Sequence, residues 1–182
     1  MQGTSVKTFI EQAMVYSQYH ESKRTLYFHL VGVPLALLGV MIFLGCFKLI
    51  LPGVFQTTLA ILATLALFVY YLRQQWQLAL LILPILMILL WLSWLISYEG
   101  PTHFALWFFV ITSLIGWGIL IFSHVMEGKK PAFTHQFSQI LIAPLVLIAE
   151  VCFLVDFMKA LKEQIHGSSI IFPQEPHEDS HK

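Results

Sequence analysis

Residues 77–97 read QLALLILPILMILLWLSWLIS, twenty-one positions without a charged side chain. As a helix rising about 1.5 Å per residue, such a run covers roughly 30 Å, the thickness of a bilayer's hydrocarbon core. Outward from it, polar breaks at Arg73 to Trp76 and Tyr98 to His103 separate it from similar runs at 53–72 and 104–125. Two more, 28–47 and 137–157, complete a set of five. The fold class expected is therefore all-α, a polytopic integral membrane helical bundle with four or five transmembrane helices.

Composition agrees: 58% of the 182 residues are hydrophobic and 11% charged, against about 45–50% and 25% in soluble domains. Ten Lys and Arg balance ten Asp and Glu. No net basic field exists to hold nucleic acid, which is excluded as an expected partner. Residues 1–27 carry Val6, Phe9, Ile10, Ala13 and Met14 at helical spacing with Lys7, Glu11 and Gln12 opposite, the pattern of an amphipathic helix lying on the membrane surface. They lack the apolar core, roughly 7–15 residues, of a cleavable signal, so the first apolar segment is expected to be retained. The chain thus divides into an interfacial segment (1–27), a transmembrane domain (28–157) and a polar, mobile tail (158–182). Cys46 and Cys152 lie inside apolar runs without CxxC spacing and read as small buried hydrophobes.

Five alternating crossings place Lys7, Lys23, Arg24, Arg73, Lys129 and Lys130 on the side of the N-terminus, and Lys48, Lys159, Lys162 and Lys182 on the other. That bias puts the N-terminus in the cytoplasm. The same alternation decides which histidines can meet. His20, His29, His124 and His135 share the N-terminal face with Glu127, whereas His103 opens the fourth span on the opposite face. Imidazole suits first-row metals, and a non-haem iron needs a few nitrogen or carboxylate ligands with positions left open. The same histidines also fit a plain role as polar groups at headgroup depth; position alone leaves both readings open. Glu150, thirteen residues into the fifth span, is expected to face the protein interior. Pro34, Pro84 and Pro144 each sit about seven residues into a span that starts on the histidine face. Kinks there would splay the bundle into a cavity opening toward that face.

The order of these motifs resembles the Mpo1-like family (DUF962) of membrane proteins. Tyr19-His20, His29, Gly32 and Pro34 match its opening motif; Trp117, His124, EGKKPAF at 127–133 and APLVLIAE at 143–150 follow in family order, so that the resemblance covers about residues 16–157. Characterised members are iron(II)-dependent dioxygenases that shorten 2-hydroxy fatty acids by one carbon in phytosphingosine breakdown. By resemblance, His20, His29 and His124 correspond to candidate Fe(2+) ligands, and Trp117, Glu127, Pro131 and Glu150 to supporting positions. Thr25 stands where the family usually has Asn, Glu21 where some members have a second His, and His135 where Asp is common. Glu21, Glu127, His135 and Glu150 are accordingly candidates for additional ligands or supporting contacts. The implied partners are a 2-hydroxy fatty acid and dioxygen, with membrane lipid around the bundle. Lys23, Arg24, Lys129 and Lys130 would attract the substrate carboxylate, a role they share with ordinary positive-inside charges. A non-catalytic alternative uses the same histidines to hold haem or a metal in an electron-transfer or assembly protein.

Overall fold

The computed structural model describes residues 13, 23–51, 55–127, 138–154 and 161. Helix α1 (Lys23–Gly45) leads into an antiparallel hairpin, β1 (Lys48–Leu51) and β2 (Phe55–Thr58); α2 (Leu59–Gln74), α3 (Trp76–Ser97), α4 (His103–Glu127) and α5 (Ser138–Leu154) follow. Three stretches, Thr25–Gly45, Trp76–Ser97 and His103–Met126, are long and apolar enough to cross a membrane, while α2 and α5 are shorter apolar helices. Many large apolar side chains of α3 and α4 face outward, among them Leu81, Met87, Ile88, Phe104, Leu114 and Ile121. Lipid is the solvent that tolerates such surfaces. The chain is an all-α membrane bundle.

The hairpin departs from the apolar run drawn at 53–72: residues 48–51 and 55–58 pair in register Lys48↔Thr58 to Leu51↔Phe55. Helix α2 therefore starts only at Leu59, where the Thr58 hydroxyl accepts the Ile61 N–H at 3.4 Å and satisfies one orphan donor of the first turn. Its 16 residues cover about 24 Å. A single extended residue, Gln75, closes α2 by donating to the Tyr71 carbonyl and opens α3 by accepting from the Ala79 N–H. At the far end of α3 the chain turns through Gly100, whose φ of 94° favours glycine. Thr102 then caps α4 by accepting the Ala105 N–H at 3.2 Å.

The main core joins Leu78, Ile82 and Leu86 of α3 to Ile142, Leu145 and Val146 of α5, with Met41 from α1. Tyr71, near the end of its apolar run, is wholly buried in this core, and its hydroxyl donates to the Leu141 carbonyl at 2.9 Å. That bond ties α2 to the first turns of α5. Tyr71→Phe should cost about 1 kcal/mol, the usual net worth of one such bond, and thermal unfolding in detergent measures it. Cys46 and Cys152 are free and buried, as their apolar settings imply.

The tightest packing joins α1 to α4. Its rungs are Phe43 with Phe109, Gly39 with Ser113, Ala36 with Gly116, Gly32 with Leu120, and His29 with Ser123 and His124. Each forward step of three or four residues along α1 is matched by a similar backward step along α4, a heptad-like antiparallel seam. Small residues make it possible: a Cβ on Gly116 would lie 2.5 Å from the Ala36 nitrogen, and one on Gly32 would lie 3.0 Å from Leu120. Close backbone approach replaces hydrophobic driving force as the source of helix affinity in lipid.

Pro34, Pro84 and Pro144 lie inside continuous helices. The level of Pro34 is filled, since Val33, Ala36, Leu120 and Leu147 form one apolar cluster with Leu26 and Trp117 against it. Leu145 and Val146, beside Pro144, are also buried in the core, while Pro84 is exposed on the outer surface. Tight packing at Pro34 and Pro144 and an outward-facing Pro84 do not match the splayed cavity expected from the proline pattern.

Candidate metal centre

The α1–α4 seam ends in a pair of histidines. His29 lies in the second turn of α1 and His124 in the last turn of α4; antiparallel traverse brings these distant turns to one end of the bundle. The two rings meet edge to face, with centroids 5.2 Å apart and planes at 75°. Both are buried, at 3% and 6% exposure, which for an ionisable side chain demands specific compensation.

Part of that compensation is visible at His29. Its Nδ1 lies 2.9 Å from the Thr25 carbonyl. A carbonyl only accepts, so Nδ1 carries the proton and Nε2 is the basic nitrogen of the ring. The Ser123 hydroxyl, on α4 beside His124, lies 3.4 Å from the same Nδ1 as a weaker second acceptor. A ring whose outer nitrogen is fixed by a carbonyl, leaving the other nitrogen basic, is the usual arrangement behind a metal-ligating histidine. Thr25 acts here through its backbone, so a change of its side chain leaves this bond untouched. We expect Thr25→Asn to change metal content and activity less than about threefold, as checked by metal analysis and turnover.

The donor set fits a first-row metal. Imidazole nitrogen binds such ions at about 2.1 Å, which sets two rings sharing one ion roughly 5 Å apart between centres. Haem fits poorly: axial imidazoles lie on opposite sides of a macrocycle, and rings in edge-to-face contact leave no slot for it.

Other expected participants fall in different places. His20, Glu21, His135, Lys129, Lys130 and Pro131 lie outside the described residues, as do the side chains of Glu127, Lys23 and Arg24, although Glu127 closes α4 and Lys23 and Arg24 open α1. Among the described residues no cluster of three or more His, Cys, Asp or Glu side chains occurs. Glu150 is half-buried and sits one turn beyond Leu147, which packs with Val33 and Ala36 further along the seam. His103 opens α4 at the opposite end and is exposed. Trp117, two turns before His124, is half-buried against the apolar cluster that floors the histidines. Phe28 and Phe122 meet edge to face at 5.8 Å beside the pair.

Ser123 and the glycine seam were missed from the sequence. Their signal was present as small residues in one heptad-like register, Gly32, Ala36 and Gly39 on α1 and Ser113, Gly116 and Ser123 on α4.

Comparison with known proteins adds the family. No curated protein and no solved structure matches the chain. The family model described as 2-hydroxy-palmitic acid dioxygenase Mpo1-like matches residues 6–155, most of the length and the whole of the five described helices. With its motif histidines adjoining at one end of a membrane bundle, the chain belongs to the Mpo1-like family.

Proposed function

We propose that the protein is an iron(II)-dependent dioxygenase of 2-hydroxy fatty acids, with His29 and His124 as two of its metal ligands. The observation that carries this reading is the buried contact of the two imidazoles, with His29 Nδ1 committed to the Thr25 carbonyl. His20 is the third ligand in this proposal, with Glu21, Glu127 and His135 as candidates to complete the sphere. Ferrous iron, when bound, supplies the redox chemistry that lets dioxygen oxidise the hydroxy acid.

The chain's own residues bind, orient and exclude water. His29 is held in one tautomer by Thr25 and Ser123, which makes Nε2 its basic nitrogen. The apolar cluster of Val33, Ala36, Leu120 and Leu147 closes the floor beneath the pair and keeps bulk water from that side. Lys23, Arg24, Lys129 and Lys130 draw the substrate carboxylate to this end, while the acyl chain stays among apolar helices. The N-terminal and histidine face is cytoplasmic in this proposal, following the distribution of Lys and Arg.

The conversion balances with dioxygen as sole oxidant: a 2-hydroxy acid RCH(OH)COOH and O2 give RCOOH, CO2 and H2O. The bond between the carboxyl carbon and the carbinol carbon breaks, and the carbinol carbon becomes the new carboxyl. No external reductant enters. Iron-loaded protein given 2-hydroxypalmitate and oxygen should release the acid one carbon shorter. Protein that retains iron yet forms none of it over many equivalents of substrate contradicts the proposal.

A further inference from the structure

At the end of the bundle opposite the histidines, a groove of about 390 Å³ runs between the start of α2, the hairpin and the last turns of α3. Its size falls within the range of small-molecule sites. Three observations give it a chemistry. Met87, Leu90 and Trp91 make its deeper part apolar. Lys48 stands at its mouth, with Nζ 5.6 Å from the centre of the Tyr98 ring, which in turn packs edge to face on Trp94. No carboxylate forms an ion pair with Lys48 among the described residues, and Glu99, though adjacent to Tyr98 in sequence, does not line the groove.

The third observation is a hydroxyl. Three buried hydroxyls in these helices donate back to the carbonyl four residues earlier, Thr64 to Ala60, Ser97 to Ser93 and Thr112 to Phe108, while Ser113, away from this groove, has an Oγ without a partner among the described residues. Ser93, 1% exposed and lining the groove, has no hydrogen-bond partner for its Oγ among the described residues. A buried hydroxyl left this way costs free energy unless something accepts from it. Ser93 lies five residues from Tyr98 along α3, roughly 7 Å deeper than the aromatic ring beneath Lys48.

We propose that this groove seats one anionic glycerophospholipid of the surrounding bilayer. The phosphate pairs with Lys48 at the mouth, the Ser93 hydroxyl donates to an acyl-ester carbonyl, and the acyl chain lies along Met87, Leu90 and Trp91. The spacing of cation and hydroxyl selects a phospholipid over a free fatty acid, whose only polar group is its terminal carboxylate. The site is independent of the histidine pair.

Native mass spectrometry of the full-length protein in detergent, titrated with phosphatidylglycerol, phosphatidylcholine of the same chains, or palmitate, tests it. One phosphatidylglycerol should be retained in preference to phosphatidylcholine. Lys48→Gln should reduce that preference about fivefold, the effect of one cation on an anionic lipid. Ser93→Ala should weaken retention of both phospholipids by about fivefold while leaving the preference intact. Equal retention of the two phospholipids by the unmodified protein overturns the proposal. So does an unchanged preference in Lys48→Gln, or displacement of the phospholipid by equimolar palmitate.

Discussion

His124→Ala and His29→Ala should each lower bound iron to a trace and reduce turnover of 2-hydroxypalmitate by more than about a hundredfold. Loss of a supporting contact around a metal ligand typically costs about 10- to 100-fold in affinity or activity, and loss of a ligand itself costs more. His103→Ala supplies the matched control, because His103 lies exposed at the other end of α4. Its iron content and activity should equal those of the unmodified chain. Ser123→Ala should fall between, since Ser123 reaches His29 only at 3.4 Å and the Thr25 carbonyl still holds the ring. Metal analysis paired with circular dichroism separates loss of a ligand from loss of fold. Folded variants at both positions that keep full iron would remove these histidines from the centre.

Gly116→Ala and Gly118→Ala should act in opposite directions although they lie two residues apart on one helix. Intrinsic helix propensity favours Ala over Gly by about 1 kcal/mol at either position. At Gly118 nothing lies within 4 Å of the added Cβ, so the variant should keep most of that gain. At Gly116 the Cβ would meet the backbone of Ala36 at 2.5 Å from its nitrogen and 2.8 Å from its Cα. Backbone cannot swing away as a side-chain tip does, so α1 and α4 must separate, and the seam loses on the order of 1–3 kcal/mol. The effect should reach the metal centre, because His29 and His124 are two turns along the same seam. Gly116→Ala is expected to melt earlier than the unmodified protein and to bind iron more weakly, whereas Gly118→Ala does neither. Equal stability of the two variants would show that α1 and α4 are not held by close backbone contact.

The meeting of His29 and His124 was legible from chain order alone. Once apolar segments are taken as successive traverses, the start of the first helix and the end of the fourth must share a side. The helices themselves were equally plain, because runs such as residues 77–97 have no alternative in water. The hairpin was not, since Leu49 and Ile50 fall in the break between two apolar runs and Phe55 inside the second, and nothing in hydropathy says that 48–51 and 55–58 pair. The burial of Tyr71 was hidden for a related reason: an aromatic near a span end serves lipid or core equally well, and only the position of the Leu141 carbonyl decides. Packing within lipid depends on small residues, which carry little hydropathy signal, so the glycine seam was invisible to a search for apolar runs. The family was legible because several loose motifs fall in one order over most of the chain, and the match over residues 6–155 bears that out.

The central claim is that His29 and His124 ligate one iron. Iron K-edge X-ray absorption of the ferrous-loaded protein under argon tests it most directly, since imidazole rings leave outer-shell scattering that water and carboxylate do not. The account predicts at least two imidazole nitrogens at about 2.1 Å, with oxygen ligands filling the remaining positions, and loss of that outer-shell pattern in the double variant His29→Ala/His124→Ala. A spectrum fitted by oxygen alone, or an imidazole pattern that persists in the folded double variant, would contradict it.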